Sequence, residues 1–513
     1  RQFSGAIMAR RKSSKRAQPR GIEQLAPGRV VNPLEPISIL SEEEVASLHT
    51  ASLEILKKHG MRFSLPEARK ILREVGASVD EDNAMVRFDP DLVMEYVAKA
   101  PGAFTLHARN PIHHLHLDQR HINFSSVSSA PHATDSLNGR RAGNREDFEN
   151  FLRLTQMVNV AHGSAGYPVE PIDIDVPIRH LHATRSIVTL TDKTFRLYNH
   201  NRQRTLDALE MTRIVHGLGR EAFEKTPCVF ASINPNSPRE YDASMLWGMI
   251  ECALAGQALM ISPFILAGAM APSSLAGALA QQNAEALAGI AFCQMVRAGT
   301  PVTYGGFVSN ADMKSGAPAF GTPEHVKTTL VIGQMARHYG LPYRAANANA
   351  SNAVDAQAAY ESQMCLWACL VSGATYVYHG LGWLEGGLSA SIEKFIVDAE
   401  MIQGLVEAIR PIDFSPEELA VDAIGEIPPG GHFFGSAHTI ERYEHAFYHP
   451  MLSDWRNFES WSEAGAPDAA QRAAQIADNL LKAYEAPPLD DSIALELDEF
   501  IAKREAEGGA PLQ

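Results

Sequence analysis

Between about residue 120 and residue 410 the chain repeats one pattern: a short apolar run, a loop, then a longer stretch in which apolar residues recur at helical spacing. The apolar runs lie near residues 123–126, 161–167, 194–198, 228–233, 258–264, 301–308, 343–347 and 375–379. Stretches with helical period follow at 145–156, 204–218, 242–255, 274–298, 323–339, 356–372 and 391–409. Short apolar runs bounded by turn residues read as buried strands. Eight of them alternating with helices predict an α/β fold, a (β/α)8 TIM barrel over residues 121–411.

The flanks have other rhythms. Ser41, then Glu42, Glu43 and Glu44, then Val45, Leu48, Leu53 and Leu56 read as a capped amphipathic helix. Further helices are expected at 66–72 and 90–98, and the alternating segments 104–108 and 114–118 suit a half-exposed hairpin. Residues 36–120 are therefore expected to form a helical N-terminal segment with a hairpin. Residues 1–35 read as a basic, disordered arm or a wrapping tail, since the first twenty residues carry seven Lys and Arg, no acid, and no apolar core of a secretory signal. Residues 412–513 are acidic, with a turn at 428–431 and helices at 468–484 and 494–505, and read as a C-terminal cap or arm.

Composition narrows the class. A net charge of −15 argues against binding a phosphate backbone, so nucleic acid is not an expected partner. No apolar run reaches the roughly 18 residues a membrane span needs. The five cysteines are odd in number and sit in apolar contexts, as reduced core thiols of a cytoplasmic protein would. No Cys/His pair has zinc spacing, and no bound metal is expected.

In barrels of this kind the working residues stand at the C-terminal ends of the strands. Those ends here are rich in aromatics and amides: Tyr167, Tyr198, Asn234, Phe264, Tyr304 with Phe307, Asn347 with Asn349, and His379. The last strand runs into YVYHGLGWLEGG at 376–387, which gathers Tyr378, His379, Trp383 and Glu385 where strand becomes loop. Asn and Gly are ordinary turn residues and aromatics fill barrels, so each residue alone has a structural explanation. The bias repeats at most of the eight ends.

Four segments carry a more specific signal: PVTYGGFVSNADMKSGAPAFGTPE at 301–324, DAQAAYE at 355–361, GWLEGG at 382–387 and GHFFGSAHT at 431–439. They resemble the corresponding segments of the trimethylamine methyltransferase family, over about residues 35–505. The resemblance implies a barrel enzyme that moves a methyl group from a methylated amine to the Co(I) of a corrinoid (cobalamin) carried by a cognate partner protein. Archaeal members that act on trimethylamine carry pyrrolysine at a barrel strand end. The equivalent position here falls within residues 347–352, where Asn347, Asn349 and Asn352 stand. That departure makes the chain similar to non-pyrrolysine members acting on quaternary amines such as glycine betaine.

A quaternary ammonium has no N–H to donate, so a pocket holds it by cation–π contact. Tyr304, Phe307, Tyr378 and Trp383, backed by Phe264, Tyr167 and Tyr198, are the candidate cage. Arg344, His379, Asn347, Asn352 and Asn234 are candidates for a substrate carboxylate. His379, Glu385 and Asn349 are the candidate catalytic residues. Two alternatives stay open: a barrel enzyme using His379 and Glu385 for acid–base chemistry on a small polar substrate, and a non-catalytic betaine-binding protein. The oligomeric state, a homo-oligomer included, is open as well.

Overall fold

A computed structural model describes residues 22–511. Eight parallel strands build the centre: β1 (His121–Ser126), β2 (Gly163–Ser164), β3 (Thr194–Phe195), β4 (Phe230–Ile233), β5 (Ala258–Ile261), β6 (Val302–Gly305), β7 (Tyr343–Ala346) and β8 (Tyr376–Leu381). Each pairs with its neighbours in chain order, and β8 returns to β1. The β3–β4 seam closes through one bridge, Arg196 to Phe230, and the bond from Leu197 N to Phe230 O at 2.8 Å. The expected barrel is therefore present with its eight strands in the expected order.

Each strand is followed by a helix: α1 (Arg145–Met157), α2 (Val176–Leu190), α3 (Arg202–Val215), α4 (Ala243–Leu254), α5 (Leu275–Val296), α6 (Pro323–His338), α7 (Ala356–Val371) and α8 (Ile392–Ala408). The apolar pattern missed α2, whose buried face carries His180, Thr184 and Ser186 among its apolar residues. His180 bonds Asp207 of α3 at 2.8 Å, so a polar contact replaces the apolar period there.

Several apolar runs extend past the strands they predicted. β2 and β3 stop after two residues, and the remainder of each run turns into the barrel mouth. The run at β5 breaks at Pro263 and resumes as Phe264–Ala267, which pairs in parallel with Phe307–Ala311 beyond β6. Two strands thus rise above the rim side by side.

The N-terminal helices Glu42–Lys58, Pro66–Glu74 and Pro90–Val97 form as expected, the first with a complete capping box on Ser41 and Glu44. Between them lies a small sheet of Met61–Phe63, Ser78–Asp80 and Met85–Arg87 that the pattern did not predict. The Phe104–Leu106 and Leu115–Leu117 hairpin is antiparallel, as expected. Most of the basic arm, residues 1–21, lies outside the described residues. Residues 22–35 wrap: Ile22 is buried, Leu25 N donates to Gln403 of α8, and Val30–Val31 pairs with β1. A hairpin of His132–Asp135 and Gly139–Ala142 follows β1 and pairs with Ser389–Ser391 after β8. At the C-terminus, Ala469–Lys482 packs on α8 and α1, and Asp491–Ala506 on α3 and α2.

Candidate active site

A cavity of about 260 Å³ opens at the C-terminal end of the barrel. The hydroxyls of Ser128, Ser129, Ser232 and Ser262 line it, with Asn234, Arg196, Arg344 and His379, an aromatic wall of Phe264, Phe307, Tyr378 and Trp383, and Pro131, Gly386, Gly387 and Leu388.

Strand register sets the wall. In the raised pair of strands Phe264 is the direct partner of Phe307, and their rings stack at 5.2 Å between centroids with planes 24° apart. Phe320, which sequence reasoning did not single out, abuts both Phe307 and Trp383 edge-on. Trp383 is clamped from behind: its Nε1 donates to Asn349 O at 2.9 Å, and Asn349 Nδ2 donates to Trp383 O at 2.8 Å. At Gly387, where φ is +92°, a Cβ would stand 2.6 Å from the Trp383 ring, so a larger residue would displace the indole.

The end of β8 departs from strict alternation. A strand sends successive side chains to opposite faces, yet Tyr378 and His379 both line the cavity. The pairing with β1 shifts register between Val377 and Leu381, and His379 has φ of +56°. This irregularity turns the imidazole inward, as bulges near active sites do. Ser128 N donates to His379 Nδ1 at 3.1 Å, which leaves the ring proton on Nε2. Burial, reinforced by Arg344 and Arg196, holds the imidazole well below its ordinary pKa, so it is neutral at pH 7. It can donate from Nε2, but its other nitrogen is occupied.

Both arginines reach the cavity from inside the barrel. Arg344 on β7 lies over the Tyr378 ring at 4.4 Å, and its Nε and Nη1 have no hydrogen-bond partner. Burial brings its pKa down to about 10. Arg196, just past β3, is also buried and spends Nε on Ala165 O at 2.8 Å. The lining contains no carboxylate, and among the described residues neither arginine forms an ion pair. Two buried cations thus face a cavity with no anion of the chain's own.

Of the expected site residues, His379, Tyr378, Trp383, Phe264, Phe307, Arg344 and Asn234 come together. Asn234 has its amide turned so that nitrogen donates to Ile233 O at 3.2 Å and Ser262 O at 2.8 Å. Asn347 and Asn349 are buried beneath the site, where Asn347 Nδ2 donates to Gly380 O at 3.1 Å. They hold the β8 turn. The buried pair of Lys394 and Asp398 supports the same turn, Asp398 accepting from Gly382 N at 2.8 Å.

The other expectations need correction. Tyr304 points away from the cavity, between β6 and α5, and donates to Asn283 Oδ1 at 2.7 Å. Its position in β6 gives it outward parity. Tyr167 and Tyr198 stack on each other at 4.9 Å outside the lining, and Asn352 is exposed. Glu385 is held by Arg140 of the capping hairpin in a two-point ion pair at 2.7 and 2.9 Å, so it anchors the loop. The acid–base reading loses its pair, because His379 Nδ1 and the Glu385 carboxylate are both engaged elsewhere. Sequence reasoning missed Arg196 and the serines. The parity of Thr194 and Arg196 would have placed Arg196 inside the barrel.

Comparison with known proteins agrees with this geometry. The family model described as trimethylamine methyltransferase (MTTB) matches residues 8–509. The chain is 35% identical over 477 residues to the glycine betaine methyltransferase of Desulfitobacterium hafniense (strain Y51), covering 93% of this chain and 99% of that one. It is 29% identical to the trimethylamine methyltransferase MttB of D. hafniense (strain DSM 10664 / DCB-2), over 91% and 94% of the two chains. A crystal structure of the hydroxylamine MtmB complex aligns with a TM-score of 0.49 at 10% identity, over 91% of this chain and 96% of that one.

Proposed function

The chain belongs to the trimethylamine methyltransferase (MTTB) family, and on that premise we propose that this methyltransferase demethylates a betaine, a quaternary amine that carries a carboxylate. The methyl acceptor would be a corrinoid on a separate protein. The observation that carries the reading is the pair of buried arginines, Arg196 and Arg344, facing an aromatic wall with no carboxylate in the lining. Trimethylamine has a nitrogen for the wall and nothing for the arginines. A betaine has both groups. The glycine betaine methyltransferase among the relatives supports the same class.

The roles follow from chemistry. Phe264, Phe307 and Trp383 hold the trimethylammonium group by cation–π contact, worth about 0.5 to 2 kcal/mol per ring. Arg344, Arg196 and His379 Nε2–H receive the carboxylate, with charge-assisted bonds from the guanidinium groups. The lining offers no thiol, amine or carboxylate to accept a methyl group. The nearest cysteines are buried, and burial pushes the Cys365 thiol up to about 12. An acceptor from outside fits that donor set: the docked corrinoid supplies a Co(I) nucleophile. The C–N bond breaks with its electron pair left on nitrogen, and the tertiary amine leaves neutral without a proton. The chain's own part is therefore positioning and exclusion of water.

The test mixes purified protein with reduced corrinoid, free or on its carrier, and follows the visible spectrum on adding glycine betaine, carnitine, proline betaine and trimethylamine in turn. Conversion to the methylated cobalt spectrum with a betaine, and none with trimethylamine, is expected. Turnover with trimethylamine alone would overturn the reading, and tight binding of a betaine without any spectral change would favour a binding protein.

A further inference from the structure

Residues 412–447 leave the barrel after α8 and carry the short helices Pro416–Leu419, Val421–Glu426 and Ala437–Arg442. The segment is locally well built. Ser415 and Ser436 cap helices, and Arg442 Nε bonds Glu418 Oε1 at 3.2 Å. Yet among the described residues every hydrogen bond from 412–447 ends within residues 412–449. The chain rejoins the body only at Met451 and Leu452, whose N–H groups bond Glu400 of α8 at 2.7 and 2.9 Å.

This projecting arm exposes ten large apolar side chains, among them Ile412 at 77%, Phe414 at 72%, Phe434 at 86% and Phe447 at 82%. At a scale of 150–250 Å² for a whole aromatic, that amounts to about 1,000 Å² of exposed apolar surface. Single patches on monomers reach only about 300–600 Å². A standard interface buries about 800 Å² per partner.

The same chain carries a second unpartnered apolar surface. On α7, Tyr360, Met364 and Trp367 are 60%, 46% and 38% exposed at spacings of four and three, which place them on one helix face. One turn further, Val371 O accepts from Ile37 N at 2.7 Å. Ile37 and Ile39 of the wrapping segment are 45% and 44% exposed, so the stripe continues around the foot of the barrel.

We infer that the arm grips the α7 stripe of a second copy of this chain, and that the reciprocal contact makes a two-fold dimer. Arm root and stripe sit on adjacent helices, α8 and α7, so one self-complementary face presents both, as a two-fold interface requires. Other occupants fit less well. Residues 1–21 include only Phe3, Ile7 and Met8 as large apolar residues and cannot cover ten. A carrier protein must dock at the barrel mouth, whereas the arm leaves from the C-terminal end of α8, at the opposite end of the barrel. A carrier must also depart between turnovers, while permanently apolar surfaces belong to obligate interfaces.

The test measures mass by sedimentation for four forms of the chain: unmodified, Phe434→Asp with Phe447→Asp, Met364→Glu with Trp367→Glu, and a chain starting at residue 22. The unmodified and shortened chains are expected to dimerise. Each double variant is expected to keep its far-ultraviolet dichroism and to associate about thirtyfold more weakly or worse, as hot-spot losses do. Mixing the two variants leaves one intact arm–stripe seam per pair and restores association. A monomeric unmodified chain, dimerisation that survives in both variants, failure of the mixture to associate, or loss of dimerisation on removing residues 1–21 would each overturn the proposal.

Discussion

Replacing Arg344 by methionine separates the two things this side chain does. In the free protein the guanidinium is 4% exposed, with Nε and Nη1 unpartnered. Its pKa falls from 12.5 to about 10, which at about 1.36 kcal/mol per unit corresponds to a folding cost on the order of 3 kcal/mol. The sign is definite: a cation whose folded pKa lies below its unfolded value is penalised at every pH beneath the folded value, so the cost is fully present at pH 7. Methionine keeps most of the buried stem and removes the charge. Arg344→Met is therefore expected to melt at a higher temperature than the parent in the absence of substrate. With a betaine bound, the balance reverses, because its carboxylate would be left without its main partner. Truncating one member of a buried charge pair costs about 2–5 kcal/mol, or roughly thirtyfold to a few thousandfold in affinity. Calorimetric titration with glycine betaine and with tetramethylammonium, which has the same cationic head and no carboxylate, reads this directly. The first should weaken by at least about thirtyfold and the second should not weaken. Equal loss for both ligands, or betaine affinity within about threefold of the parent, would refute the carboxylate assignment.

Trp383→Ala should act on the other end of the ligand and weaken glycine betaine and tetramethylammonium alike, by about two- to thirtyfold on the cation–π scale, as the same titrations would show. Tyr304→Phe removes a hydroxyl that donates to Asn283; it should lower stability by about 1 kcal/mol in urea unfolding and leave the betaine KM unchanged. Stability should fall as pH drops from about 6.5 towards 4. Burial lowers His162 to about 3 and His200, His216 and His325 to about 4, so between those values and 6.5 the unfolded chain binds more protons. The effect is on the order of 1–2 kcal/mol per histidine at pH 5; the raised carboxyls Glu170 and Glu285 oppose it. A flat unfolding midpoint between pH 7 and 5 would contradict this.

The barrel was legible because parallel strands buried on both faces make runs that need no finer pattern to detect. Strand ends were legible only as neighbourhoods. Tyr304 and Phe307 look alike in sequence, three residues apart, yet β6 parity sends Tyr304 outward while the raised strand beyond Gly306 carries Phe307 into the cavity. His379 shows the converse. Alternation from Tyr378 would have put it outside, and only the positive φ at the register shift brings it in. Glu385 was misjudged for another reason: its partner, Arg140, is 245 residues distant, on a hairpin whose docking no local pattern reveals. Contacts of that range arise from the closed barrel and cannot be read from spacing.

The charges in the lining also bear on the barrier. In the proposed reaction positive charge leaves the nitrogen as the C–N bond breaks. A carboxylate in the cage would hold the reactant cation more tightly than that transition state and would slow the step, since only interactions stronger in the transition state accelerate it. Aromatic faces hold the cation with little such penalty. The arginines then draw binding energy from the carboxylate, the end of the substrate that does not react, and their like charge disfavours the reactant cation more than the neutral amine it becomes. A cavity with two buried cations and no anion is costly to fold, and for a methyl donor that gives up its charge it is the arrangement that binds tightly without deepening the ground state.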